Sequence, residues 1–344
     1  MIESSLPHGE PVLLPSRSFG RQVRSVAGYA LLTALMMVTP MLVFVPAALM
    51  HCAIRNGRRA AWAAMILAVA IATLYGAAVP SSDPVTQKMA WSYLAAVALA
   101  IALPALVAVP MVERGEPFGR VLVALLAGAT IGLAVTEIAA QSLLSFSPYA
   151  AQVQQYVKQS AEVLASRGKG MSPEMLAAAQ QWVEFTTYVL PAMLLVNTIL
   201  VFVLSLLMLG RLKAWREATV RRGDAPALGA YLFRNFALPD WLLFAFVLGG
   251  LTPLVSGLLQ KVAANTLAVV AFLYILQGLA IFRFVLAAMG VGFAGTMLGW
   301  LLLAFLTLTG VGPLLLGMAG LFDPFFDFRH FKKRKDDSHE SHSD

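Results

Sequence analysis

Six stretches of this chain are too long, too apolar and too free of charge to belong to a water-soluble fold. Residues 60–79, 89–112, 120–146, 182–210, 240–259 and 263–287 each contain a run with few or no charged residues. A helix of about 20 apolar residues crosses about 30 Å of hydrocarbon, and lipid offers no partner to an open strand edge. The runs therefore predict an all-α fold, a polytopic transmembrane helix bundle. Of the 344 residues, 59% are hydrophobic and 12% charged, where a soluble domain carries about 25% charged residues. So little polar material excludes a soluble enzyme, a disordered protein and a nucleic-acid-binding domain. The net charge of +7 then reads as a loop-orientation signal, not as a nucleic-acid footprint.

Both ends of the apolar region are ambiguous by length. Residues 25–54 contain Pro40 and Pro46, and residues 291–322 contain Gly310, Gly312 and Pro313. Each is either one kinked helix or two short helices joined by a turn. Sorting the basic residues by side decides between them. Single helices at both ends split the 25 Lys and Arg 12 to 13, which is no bias. A hairpin at each end leaves five outside (Lys88, Lys158, Arg167, Lys169, Lys261) and 20 inside. Because cytoplasmic loops carry the excess of Lys and Arg, the expectation is about 8–10 membrane segments with broken or hairpin segments at both ends. Both termini are then cytoplasmic, in a bacterial inner membrane, and no cleavable signal peptide is needed.

Three regions follow from this reading. Residues 1–24 form a polar cytoplasmic N-terminal segment, 25–324 a single transmembrane domain, and 325–344 an interfacial helix with a charged, disordered tail. Within the domain, 147–181 is an outside helical loop and 211–239 a basic cytoplasmic loop. Ser172-Pro173-Glu174 is a good helix start: an N-cap hydroxyl, proline at the first position and an acid in the first turn. From there to Gly210 only Pro191 interrupts a helix longer than the bilayer.

Motifs for chemistry are absent. There is no P-loop, no H-E-x-x-H and no G-x-S-x-G, so the chain reads as a non-enzyme without a cofactor. One cysteine, Cys52, and histidines confined to the edges of the apolar runs leave no metal site to expect. Gly290–Gly295 matches G-x-G-x-x-G but lacks the strand that a dinucleotide site requires. Gly295 with Gly299, and Gly128 with Gly132, instead have the spacing that lets membrane helices approach closely.

The candidate site residues are polar groups inside apolar runs. Glu137 is the foremost, since an ionised group at membrane depth ordinarily faces a cavity or a partner. Thr130, Ala134, Glu137 and Gln141 share one helix face at steps of three and four. Two readings stand: a substrate or proton site, or a structural hydrogen bond near the surface. Asn197 and Gln277 are further candidates, either as ligand contacts or as interhelical glue; Thr198 and Asn265 are lesser ones. Asp240, before Trp241, is expected to N-cap the next helix with an interfacial tryptophan beside it. Asp323 is expected to cap a short helix beginning at Pro324, and Asp327, Arg329 and the nearby phenylalanines to form an interfacial anchor for lipid or a partner.

Three segments also carry a family resemblance. Leu238-Pro239-Asp240-Trp241-Leu242-Leu243, Tyr274-Ile275-Leu276-Gln277-Gly278-Leu279-Ala280 and Gly320-Leu321-Phe322-Asp323-Pro324-Phe325-Phe326-Asp327-Phe328-Arg329 occur in that order, with Leu190-Pro191-Ala192 before them. Together they resemble the YybS-like family of bacterial membrane proteins, domain of unknown function 2232, over about residues 25–331. Phe325 stands where that pattern usually has tryptophan. The resemblance implies a fold distantly similar to the substrate-binding S components of energy-coupling-factor transporters and to a membrane subunit of the rod-shape machinery. It assigns no binding residues.

Two functions compete. One is a small-molecule-binding or permease-like transport component, drawing any ATPase from a separate chain, with Glu137, Gln141, Asn197 and Gln277 converging on one cavity. The other is a non-catalytic membrane scaffold for cell-envelope or division machinery, with no such cavity. Reporter fusions at the two termini test the charge arithmetic. Both are expected to report the cytoplasm, and an external C-terminus overturns the hairpin at one end.

Overall fold

A computed structural model describes residues 19–78, 83–167, 172–212, 232–326 and 328. Most of the basic loop 211–239, the first 18 residues, Asp327, Arg329 and the charged tail lie outside the described residues. All regular structure among the described residues is helical.

The N-terminal pair is a hairpin. Helix α1 (Phe19–Met37) is followed by a 3-10 turn at Pro40–Phe44 and by α2 (Val45–Asn56). Asn56 Nδ2 donates to Ser25 Oγ at 3.1 Å, and the Tyr29 hydroxyl lies 2.8 Å from His51 Nδ1. Residues 25 and 56, then 29 and 51, are therefore level, as an antiparallel pair requires. Twelve residues give α2 a rise of about 18 Å, well short of a bilayer, so the hairpin enters and returns without crossing. Its tip packs against the helix Pro173–Arg211 (α8), where Ser205 Oγ donates to the Val43 carbonyl at 2.6 Å.

Five helices are long and apolar enough to cross. They are α3 (Arg58–Ala78), the continuous helix Pro84–Glu113, α6 (Phe118–Leu144), α8 (Pro173–Arg211), and α10 (Gly257–Ala288). The second comprises α4 (Pro84–Ala96) and α5 (Leu103–Glu113), joined by one π-helical stretch at Val97–Ala102. Asp83 caps α4, its carboxylate accepting from the Val85 and Thr86 N–H groups at 3.1 Å each. Bonds from the Thr86 hydroxyl and these two amides hold that carboxyl below its ordinary range. Between α6 and α8 lies α7 (Pro148–Arg167), a polar-faced helix. As expected, Ser172 caps α8, accepting from Met175 N–H at 3.3 Å. At 39 residues, α8 rises about 58 Å, so it projects beyond a bilayer.

Three expectations fail on physical grounds. Residues 240–259 do not form one continuous helix: α9 (Leu242–Gly250) has nine residues, and a 3-10 turn at Thr252–Leu254 then leads into α10. Asp240 does not cap α9 with its side chain; the first amides bond to the backbone carbonyls of Pro239, Asp240 and Trp241 at 3.0–3.1 Å. Asp323 does not open a new helix, because α12 (Val311–Phe326) runs straight through Pro324, and its carboxylate is engaged by Gln277 (below). The C-terminal pair, α11 (Phe293–Leu308) and α12, is bent through 108° at Thr309–Gly310, where Gly310 takes φ +78°. It is a broken pair, neither a straight span nor an antiparallel hairpin, and α12 packs antiparallel along α10, Gly278 against Leu316 and Gly320 against Tyr274.

Contacts between loops group the ends of the helices. Arg58 pairs with Glu113, and the Ala237 carbonyl abuts Gly119, so Arg55, Arg58, Arg59, Arg114, Arg120 and Arg234 gather at one end. At the other, Lys88 Nζ donates to the Leu144 carbonyl at 2.8 Å. The core is packed between them by Met37, Leu49, Leu122, Phe202, Leu206 and Leu273, while Leu31, Ile66, Val107, Ile131 and Ile138 face outward, as lipid-facing residues do.

Close helix approach depends on glycine. A Cβ at Gly278 would sit 1.9 Å from the Leu316 carbonyl oxygen, and one at Gly320 2.0 Å from that of Tyr274. These two positions let α12 lie on α10. The Gly128 and Gly132 pair, and Gly299, likewise face neighbouring helices of the same chain, which is internal packing. Gly278→Ala is expected to force α10 and α12 apart at a cost of about 1–3 kcal/mol. Gly250→Ala, with open space around it, is expected to leave the melting temperature of the detergent-purified protein unchanged; equal effects would refute the account.

Candidate functional site

The polar residues singled out from the sequence form two separate groups. The first surrounds Glu137. Its Oε1 accepts from Ser147 Oγ at 2.5 Å and Gln141 Nε2 at 2.8 Å, and its Oε2 accepts from the Tyr149 N–H at 3.1 Å. Ser147 precedes Pro148, the first residue of α7, so the carboxylate caps the start of that helix, where free N–H groups and the helix dipole favour negative charge. Gln141 braces it from one turn along α6.

The same carboxylate borders a cavity of about 620 Å³ among α4, α6, α8 and the start of α7. Its walls are mainly apolar (Met89, Ala96, Leu133, Leu194), with polar groups from Thr86, Tyr93, Thr130, Glu137 and Gln152. Thr130 and Thr136 spend their hydroxyls on carbonyls of their own helix. Ser92 does not. It lines the cavity at 4% exposure, and its Oγ has no hydrogen-bond partner among the described residues. A buried hydroxyl without a partner costs about 1–3 kcal/mol, so it is a group that a bound molecule would satisfy. Tyr149 stands at the cavity's edge, its phenol pushed up from the ordinary range by burial and by the neighbouring Glu137 charge.

Two backbone irregularities shape these walls. One is the π-helical stretch below Ala96, a feature frequent at functional sites. The other is Pro191, which lines the cavity from within α8. There Asn265 of α10 inserts its amide into the helix ladder. Its Oδ1 accepts from Ala192 N–H at 2.8 Å, and its Nδ2 donates to the Tyr188 carbonyl at 3.2 Å. Proline breaks a helix by removing a donor and crowding the preceding turn; the amide gives the Ala192 N–H an acceptor and the Tyr188 carbonyl a donor beside that break, and ties α8 to α10.

The second group centres on Gln277, 2% exposed. Its Oε1 accepts from Leu238 N–H at 3.0 Å and its Nε2 donates to Asp323 Oδ2 at 3.1 Å. One side chain thus joins the segment before α9, helix α10 and helix α12. Asp240 and Trp241 are exposed beside it. Gly119 marks this group's level on α6, and Glu137 is 18 residues further on, about 27 Å at 1.5 Å per residue. The expected convergence of four residues on one cavity is therefore not formed: Glu137 and Gln141 lie together, Gln277 holds a joint at the other end, and Asn197 is exposed and belongs to neither. Asp327 and Arg329 lie outside the described residues. Ser92, Tyr93 and Gln152 escaped the sequence reading because isolated polar residues near a span's end are unremarkable there. Pro191 was the available signal for Asn265, since a proline within a span requires compensating partners.

Among the described residues no three His, Cys, Asp or Glu side chains are placed to hold a metal ion.

These features define a polytopic α-helical membrane protein with a polar-lined cavity near one end and a three-segment joint near the other. The family described as predicted membrane protein DUF2232 matches residues 27–324, and the chain belongs to it. No curated protein and no solved structure matches the chain. The three segments that carried the resemblance are those brought together at Gln277.

Gln277→Leu should strip the buried Leu238 N–H of its acceptor and lower the melting temperature, at about 1–3 kcal/mol. Glu137→Ala should instead act locally, speeding amide exchange at Tyr149 and Ala150 with little global loss. Unchanged exchange there would dismiss the capping role.

Proposed function

We propose that this membrane protein is a small-molecule-binding, permease-like transport component whose ligand occupies the cavity beside Ser92 and Glu137. The single observation that carries the reading is the buried, unpartnered Ser92 hydroxyl, among the described residues, at a partly open, mainly apolar space of ligand size. The lining selects a molecule with an apolar body and one or two hydrogen-bonding groups. Ser92 bonds one of these, and Glu137, held in place by Ser147, Gln141 and the α7 backbone, favours a donor or a positive charge. Tyr149 also borders a larger groove of about 1030 Å³ between α7 and α8, which supplies an apolar approach from that end. Positive-inside arithmetic puts this end outside a bacterial inner membrane with both termini in the cytoplasm. Since the sequence holds no nucleotide-binding motif, energised transport draws on a separate ATPase, as the likeness to energy-coupling-factor S components would have it.

A membrane scaffold for envelope or division machinery is the second reading. What favours it is the stretch of α8 beyond the bilayer, where Trp182 and Phe185 stand exposed.

Thermal stabilisation of the purified protein against a panel of metabolites and amphiphiles separates the two. A stabilising compound whose shift is abolished by Ala96→Phe, which fills the cavity, and reduced by Ser92→Val and Glu137→Gln is the expected result. A flat panel favours the scaffold.

A further inference from the structure

We propose that the chain pairs with a second copy of itself through the exposed face of α8, centred on Asn197. This inference stands apart from the cavity and its ligand. Asn197 is 13 residues from Glu184 and 14 from Arg211, the nearest charges on α8, so about 20 Å of apolar helix separates it from either. That puts it near the middle of the hydrocarbon. Three other amides in the long helices, Gln141, Asn265 and Gln277, are hydrogen bonded. Asn197 is exposed and has no hydrogen-bond partner among the described residues. An amide left facing lipid forgoes all its hydrogen bonds, each unsatisfied group being costly where no water reaches.

The face around it is built for a helix. Met193, Asn197, Leu200, Leu204 and Met208 are all exposed, at steps of four, three, four and four. That spacing keeps close to the helical period, so the five lie along one stripe of α8. Ile199, Phe202, Leu206 and Leu209 occupy the buried side and hold α8 in its own bundle, so the stripe points away from the molecule. The occupant follows from chemistry and symmetry. An amide carries both donors and acceptors, and a two-fold axis along the membrane normal places two Asn197 side chains at one depth, each satisfying the other. The rest of the stripe is uncharged and self-complementary. A different protein would have to bring its own polar group to that depth.

The test uses the full-length protein in lipid vesicles, in a Cys52→Ala background, with Asn197 retained. Oxidation of Leu200→Cys or Leu204→Cys is expected to yield a disulfide-linked dimer, and Ile138→Cys, on the lipid-facing side of α6, to yield none. Adding Asn197→Leu should reduce the dimer fraction about tenfold in association constant at fixed protein-to-lipid ratio, the scale of one interhelical amide bond; Asn197→Gln should restore much of it. Because Asn197 is exposed and makes no side-chain hydrogen bond among the described residues, Asn197→Leu is expected to keep the monomer's melting temperature, which guards against misfolding as the cause. A monomer at every protein-to-lipid ratio, equal cross-linking at Ile138→Cys, or dimerisation indifferent to Asn197→Leu overturns the proposal. So does association of Asn197 only with a different protein.

Discussion

Hydrocarbon leaves a backbone polar group nothing to bond to except the protein itself, and this fold depends on how its interruptions meet that demand. At three interruptions a side chain from another segment stands in. Asn265 takes the N–H and carbonyl left around Pro191 in α8. Gln277 takes the N–H of Leu238 where the chain re-enters the bundle. Ser205 donates to Val43 at the tip of the N-terminal hairpin. Each of these bonds links residues far apart in sequence, so the amides and hydroxyls that repair the helices also fasten the bundle together. A lost partner is not replaced by water at these positions, which gives them more weight than their number suggests.

Packing supplies the other half of the architecture. Apolar side chains do not drive helices together in lipid, because the tails are as apolar as leucine; close approach and polar contacts do. Gly278 and Gly320 bring α10 and α12 into backbone contact, and that approach puts Gln277 within reach of Asp323. Glycine and amide therefore act jointly: without the close approach the bond is too long, and without the bond the crossing lacks a polar latch. At the opposite end the packing is looser, and the space among α4, α6 and α8 remains as the cavity beside Ser92.

The parts legible from sequence were those that depend on neighbours in the chain. Runs of apolar residues placed the long helices, Ser172-Pro173-Glu174 marked the start of α8, and the basic residues grouped the helix ends that the loops bring together. The N-terminal hairpin followed from charge alone. What was illegible depended on register between distant segments. Glu137 stood out as a charge inside an apolar run, but its engagement with Ser147 and Tyr149 depends on where α7 begins. Gln277 and Asp323 are 46 residues apart, and nothing local announces their bond. Residues 240–259 misled because hydropathy counts apolar residues, whereas the turn at Thr252–Pro253 ends the helix after nine.

By itself the sequence determined that this chain lives in a bilayer, that it is helical, and that its basic residues cluster between the apolar runs, because hydrophobic length and charge are properties of contiguous residues. Tertiary structure alone decided which polar residues meet. Crossing angles and glycine contacts set the relative height of each helix, and so turned four dispersed suspects into a helix cap with its brace, a structural joint, and an amide, Asn197, that faces outward.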